Sequence, residues 1–235
     1  MPNPLYLVII ATLLFTTSNA QKNKGTLNVQ LGFSLPDGDF ASKNIDKEEA
    51  GFALSGVNFD VSYSRLIEEK EFGYSFTLRA QTNPIDVKTI AEIFSDTFPL
   101  NDITVEGEEF EIGSFLVGGF YSMDLNEKTF LNLQLKLGFS NSKSPTLDVL
   151  IEDNENYFWS KQESADATSF AYLVGARLNY SLNPKLYLLS TIDYFVTKPE
   201  FSNVEITSSD GLLSKVTFEQ PITAFNIGFG IGLKL

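Results

Sequence analysis

Cysteine and histidine are both missing from this chain of 235 residues, while tryptophan occurs once and methionine twice. The lack of cysteine excludes disulfides, thiolate metal sites and a lipid-modified cysteine at a mature N-terminus. The lack of histidine excludes a Ser-His-Asp relay and imidazole metal ligation, so enzymatic chemistry would have to rest on carboxylate pairs or a Ser-Lys nucleophile. No carboxylate pair stands out in a plausible cleft, and the expectation is a protein that is not an enzyme and uses no cofactor. Basic residues are scarce too, 17 against 30 acidic ones for a net charge of −13, which disfavours a nucleic-acid partner. After residue 20 no stretch approaches the roughly 20 continuous apolar residues of a spanning helix. If the chain sits in a membrane, it crosses with strands.

What the chain does have is alternation. Eight stretches alternate apolar and polar residues: Thr26 to Ser34, Phe52 to Arg65, Phe72 to Gln81, Phe110 to Met123, Leu131 to Ser140, Phe170 to Tyr180, Leu186 to Val196 and Phe225 to Leu235. Period two is the mark of β-strands. The gaps between the stretches are alternately short and long, which is the layout of an eight-stranded antiparallel up-and-down transmembrane β-barrel with tight periplasmic turns and long outer loops. The fourth stretch is the least regular, because Ile112 and Leu116 are in one phase and Phe115, Val117 and Tyr121 in the other. A bulge at Gly113 or at Gly118-Gly119 that switches faces is the expected cause.

The first 20 residues read as a cleaved secretory signal. Leu5 to Phe15 is an apolar run too short to span a bilayer as a helix, and Ser18-Asn19-Ala20 offers small residues for cleavage. Met1-Pro2-Asn3-Pro4 carries no Lys or Arg, so the positive n-region reduces to the amino terminus, and a retained anchor is the alternative. Residues 21–235 suit a single all-β domain, since barrels commonly exceed the average domain length.

Alternation alone does not say which face is inside, and a secreted lipocalin-like barrel around an apolar ligand would show the same period. The polar phase decides. It holds Gly32, Gly73, Gly138, Gly175, Gly228, Gly230 and Gly232, small residues that suit the narrow interior of an eight-stranded barrel and would only weaken a solvated face. Aromatics point the same way: Tyr63, Phe72, Tyr74, Tyr121, Tyr180 and Tyr187 lie near the short turns, and Phe52, Phe110, Phe139, Phe170 and Tyr172 near the long loops. Two girdles at two interfaces are the membrane pattern. The inner phase also carries Asp60, Arg79, Lys136, Arg177 and Asp193. Charges inside must pair, so these five are expected to form an ion-pair network that closes the lumen, with a conductive pore as the alternative.

On these residues the chain resembles the eight-stranded outer-membrane β-barrels, in particular the PorT-like and OmpX-like barrels of Bacteroidetes. The sharpest piece is the last strand, where Asn226, Gly228, Ile231 and Leu233 are similar to the polar-x-Gly-x-x-apolar-x-apolar signal read by the barrel assembly machinery. The resemblance implies residence in the cell outer membrane, among its lipids, with the assembly machinery as a partner. It also implies, from the PorT-like members, a possible role as an accessory of a protein secretion system.

The acidity is concentrated. Leu35 to Ala50, Thr82 to Glu109, Asn141 to Ala167 and Lys198 to Pro221 hold 22 of the acidic residues and 7 of the basic ones, so the negative charge belongs to the outer loops. Its plain consequence is a solvated surface that resists association. Clusters such as Asp37-Gly38-Asp39, Glu106-Gly107-Glu108-Glu109 and Glu152-Asp153-Asn154-Glu155 suit divalent cations by their oxygen ligands, although none has EF-hand spacing and no metal site is assigned. In the third gap, Ile85 to Phe98 places Val87, Ile90, Ala91, Phe94 and Phe98 at helical spacing, a short helix that covers something apolar. Trp159 sits with Tyr157 and Phe158 in another loop, as a partner contact or as that loop's own anchor. The function expected from the whole is structural or surface interaction, with a possible protein partner at the long loops.

Overall fold

The computed structural model describes residues 25–68, 70–97, 102–153 and 156–235. The expected leader lies outside the described residues, as do Phe98, Asn154 and Glu155. The elements, in order, are β1 (Thr26–Pro36), α1 (Gly38–Ala41), β2 (Gly56–Leu66), β3 (Phe72–Pro84), α2 (Val87–Thr97), β4 (Asp102–Gly107), β5 (Glu109–Asp124) and β6 (Thr129–Lys143). They continue with β7 (Leu147–Asp153), β8 (Asn156–Gln162), β9 (Asp166–Ser181), β10 (Leu186–Thr197), β11 (Glu200–Ser208), β12 (Leu213–Glu219) and β13 (Ile222–Lys234).

Eight of these strands close into a barrel in the order β1-β13-β10-β9-β6-β5-β3-β2, each antiparallel to its neighbours. Leaving out the strands of the long connections, each barrel strand lies beside the next one in the chain, so the path is up-and-down. The β1–β13 seam runs without a break from Pro36 opposite Ala224 to Thr26 opposite Lys234. The apolar phase faces out: Leu31 and Phe33 of β1 are 63% and 62% exposed, whereas Asn28, Gln30 and Ser34 in the other phase are buried. The same holds on β6, where Leu133, Leu135, Leu137 and Phe139 are exposed and Asn132, Gln134, Lys136 and Ser140 are buried. This outer belt is what a hydrocarbon layer would cover.

Glycines in the inner phase sit where neighbouring strands leave no space. A Cβ at Gly138 would run into the carbonyl oxygen of Phe115, and one at Gly230 into that of Val29. They permit the strong coiling that closes so small a barrel.

The expected bulge in the fourth barrel strand is absent. β5 keeps one register against β3, from Phe72 opposite Tyr121 to Pro84 opposite Glu109, and another against β6, from Glu111 opposite Lys143 to Asp124 opposite Phe130. The two apolar phases have another cause. Phe115, Val117 and Tyr121 face out, Phe110, Ile112 and Leu116 face into a lumen whose upper part is apolar, and Phe120 faces inward at the short-turn end over Gly73.

The long connections are not plain loops. β4, β7, β8, β11 and β12 form a second, five-stranded sheet in the order β12-β11-β8-β7-β4. All five lie in the gaps at the long-loop end, so the sheet belongs to that side of the barrel. Their alternation is present but diluted by charge: Ile103 and Val105 on β4 stand opposite Ile151 and Val149 on β7. Phe201 and Val204 are buried with Ala167, and Val216 and Phe218 of β12 pack against them. The expected helix is α2, which buries Ile90 and packs Val87 and Phe94 against the upper lumen core.

Candidate functional site: a sealed lumen beneath an exposed sheet

The lumen is closed in layers. At the long-loop end α1 turns inward and buries Phe40 completely against Phe110, with the ring centroids 5.1 Å apart in an edge-on arrangement. Ile112, Leu116, Leu173, Phe195 and Ile222 complete this apolar plug. Phe110 and Phe52, expected in the upper aromatic girdle, belong to the plug instead, whereas Phe139, Phe170 and Tyr172 face outward as expected. Phe52 takes a left-handed backbone with φ of 50°, a conformation costly for an aromatic residue. It is held by its own N–H on Ser42 O at 3.0 Å and by Asp86 N–H on its carbonyl at 2.8 Å.

The segment that carries the plug is tied down on two sides. Lys198 pairs with Glu49 at 3.0 Å and with Glu219 at 2.6 Å, and Gln220 Nε2 donates to Glu49 O at 3.0 Å. On the other side Lys43 pairs with Asp86, which also caps α2 by accepting from Thr89 N at 3.1 Å and Thr89 Oγ1 at 2.8 Å. The Lys43 ammonium, helped by the two Thr89 donors and opposed by partial burial, pulls the Asp86 carboxyl from 3.8 down to about 2.

Below the plug lies a clamp. Arg79 of β3 donates Nε to Asp60 Oδ1 and Nη2 to Asp60 Oδ2, both at 2.8 Å, and Nη1 and Nη2 to the two oxygens of Asp193 at 2.9 Å. Asp60 is the cross-strand neighbour of Arg79. Asp193 is on β10, four strands away whichever way one counts around the barrel, so the guanidinium ties opposite walls together. Gln30 Nε2 adds a bond to Asp60 Oδ2 at 2.9 Å, and Asn226 Nδ2 one to Asp193 Oδ1 at 3.0 Å. The guanidinium carbon is 5.6 Å from the centroid of the Phe195 ring, which joins clamp to plug.

Of the five charged residues expected to form one network, the structure joins three. Lys136 and Arg177 are equally buried, yet among the described residues they reach hydroxyls instead of carboxylates: Lys136 Nζ donates to Thr77 Oγ1 at 2.9 Å and Arg177 Nη2 to Ser62 Oγ at 3.2 Å. The clamp has already occupied all four carboxylate oxygens. Periodicity located the five inward positions but not which heads meet across the lumen. The clamp role of the Gln30 and Asn226 amides, and of Asn58, which donates to Asn226 Oδ1 at 3.1 Å, was missed; Asn226 was singled out only as part of the assembly signal, and the signal for the others was polar residues in the inner phase. At the short-turn end Tyr187, expected in the lower girdle, turns inward and stacks edge-on with Phe130 at 5.4 Å between centroids.

The last strand shows where the four residues of the expected assembly signal sit. Asn226 and Gly228 face the lumen, Asn226 as a member of the clamp, and Ile231 and Leu233 face outward. No group of acidic side chains poised to hold a metal ion occurs among the described residues.

Above the barrel, the pairings of Leu150 with Trp159, Lys161 with Thr207 and Thr207 with Leu213 place Leu150, Trp159 and Leu213 on one sheet face, and Tyr157, two residues from Trp159, joins them. Tyr157 is 74%, Leu213 58% and Trp159 41% exposed. Among the described residues the two outermost strands, β4 and β12, each have a partner on one side only.

No protein-family model matches the chain, and no curated protein does either. Solved structures do. A major outer membrane protein from Thermus thermophilus is similar over 90% of this chain and 99% of its own, at 11% identity and a TM-score of 0.53. Ail, the attachment invasion locus protein of Yersinia pestis, is similar over 89% and 99% at 14% identity and a TM-score of 0.45, and the Neisserial surface protein A over 90% and 97% at 10% and 0.45. The closed eight-stranded antiparallel barrel, apolar outside and polar within, is the fold of an outer-membrane β-barrel.

Proposed function

We propose that this chain resides in the outer membrane, is exported by a cleaved leader, and serves without enzymatic activity as a platform that holds an interaction surface outside the cell. The observation that carries this reading is the pairing of a plugged, clamped lumen with a five-stranded sheet whose Tyr157, Trp159 and Leu213 remain exposed. Among the described residues Phe40 and Arg79, both enclosed, fill the lumen, which supports a closed barrel over a conducting one. Large aromatic side chains left in water on a sheet are the usual anchors of protein contact, and free strand edges accept a further strand.

An outward apolar belt also speaks against the lipocalin-like alternative, which needs the apolar phase around an internal ligand. Support for a place near the PorT-like and OmpX-like barrels, and for recognition by the barrel assembly machinery, rests on Asn226, Gly228, Ile231 and Leu233 of the closing strand.

The test is an attachment assay on cells that carry Tyr157→Ser, Trp159→Ser and Leu213→Ser together. These side chains are outside the barrel, so the variant keeps its heat-shifted gel migration and outer-membrane fractionation. Loss of surface attachment with an intact barrel supports the reading; unchanged attachment overturns it. Loss of cargo export on deletion of the whole chain, with attachment intact, would point to the secretion accessory instead.

A further inference from the structure

The lumen holds more positive than negative charge. Among the described residues its buried charged side chains are Asp60, Arg79, Lys136, Arg177 and Asp193, three cations against two carboxylates. Both carboxylates are fully engaged by Arg79 and by the amides of Gln30 and Asn226. Lys136 and Arg177 are left with one hydroxyl each.

Those two hydroxyls are neighbours. Ser62 and Thr77 face each other across β2 and β3, one inward step below the Asp60 and Arg79 pair. Lys136 arrives there from β6 and Arg177 from β9, the latter across the full lumen, so an ammonium and a guanidinium converge on one cross-strand pair. Both cationic heads are enclosed beside that one hydroxyl pair, where burial makes like charges costly without a counter-charge near them. Three buried polar atoms in this part of the lumen have no partner among the described residues: Arg177 Nε, Ser75 Oγ, one inward step below Thr77, and Thr191 Oγ1, of the residue opposite Arg177 on β10.

We propose that the lumen binds one small monovalent anion of the halide class, held by Lys136 Nζ and Arg177 Nε with help from the Ser75 and Thr191 hydroxyls. A single negative charge balances the formal charges of the interior, and a compact ion asks the least room beside Thr77 and Lys136, whose cross-strand neighbours Leu116 and Leu173 are apolar. The ion is an internal strut, placed directly beneath the Arg79 clamp. A transported solute is a poor fit, because the plug and the clamp close the way out.

The experiment uses the full chain folded in detergent. Crystals grown in bromide are examined for anomalous scattering, and the chlorine NMR line width is followed in parallel. The expected result is one bromide peak inside the barrel within hydrogen-bonding distance of both Lys136 and Arg177. Excess chloride line broadening should be present in the parent and lost in Lys136→Gln. A lumen without a bromide peak, or a peak only at surface lysines as an adventitious ion, overturns the assignment. The parent's diffraction decides the matter even if the variant does not fold.

Discussion

Replacing Arg79 by Met tests whether the clamp holds the barrel together. The substitution keeps much of the side chain's volume but removes four charge-assisted hydrogen bonds of 2.8 to 2.9 Å and leaves Asp60 and Asp193 buried without the cation that bonds them. The Arg79 side chain is fully enclosed, so water does not readily replace it. Breaking a buried pair by removing one partner costs about 3–5 kcal/mol, and here two carboxylates lose the same partner. With a slope of about 2 kcal/mol per molar, the urea midpoint for unfolding in detergent should fall by roughly 2 M. The readout is the fraction of chain that keeps folded, heat-sensitive gel migration along a urea series. A companion variant, Arg79→Met with Asp60→Asn and Asp193→Asn, removes both charges along with their partner and should recover more than half of the loss. If Arg79→Met unfolds at the parent's midpoint, or the triple variant is no more stable than the single one, the clamp is not what joins the two walls.

At the rim, Asp86→Ala removes the α2 cap and the Lys43 partner and should cost about 1–2 kcal/mol locally, seen as faster amide exchange in residues 87–97. Because the folded Asp86 carboxyl titrates near 2 and its ordinary value is 3.8, its contribution is complete above about pH 4 and is lost as pH falls towards 2; α2 protection should follow that course. Gly138→Val should prevent barrel closure, since its side chain meets the Phe115 carbonyl, while Gly113→Ala on the outer face has its nearest neighbour at 3.9 Å and should fold normally; refolding yield on a gel distinguishes them. Phe40→Ala should cost about 3–5 kcal/mol in the plug and speed amide exchange in α1, yet bilayer recordings should still show no conductance, because the Arg79 clamp lies below. Trp159 is the only tryptophan, so intact cells expressing the protein in a tryptophan-poor background should show its fluorescence quenched by external iodide; no quenching would put the sheet on the wrong side.

The existence, number and inside-outside assignment of the barrel strands were legible in the sequence because they depend on local chemistry alone. A strand that meets lipid on one face and a narrow lumen on the other must alternate, and β1, β6 and β9 do so at nearly every position. β5 departs from this for a nonlocal reason: Ile112 and Leu116 belong to the same buried apolar cluster as Phe40, from a segment between β1 and β2, which packs on Phe110 of β5. No local pattern carries that information, and a bulge was the nearest local explanation. The second sheet was hidden in the same way. Its strands are short and charged, and they become strands by pairing with segments from three different gaps between barrel strands.

Period two assigns a residue to a face from its place along its own strand, so the barrel, its lipid-facing phase and the set of charges that enter the lumen follow from the order of residues alone. Which charges meet depends on how the barrel closes. Arg79 reaches Asp193 because barrel closure brings β3 opposite β10, and that same closure leaves Lys136 and Arg177 facing hydroxyls with no carboxylate to share.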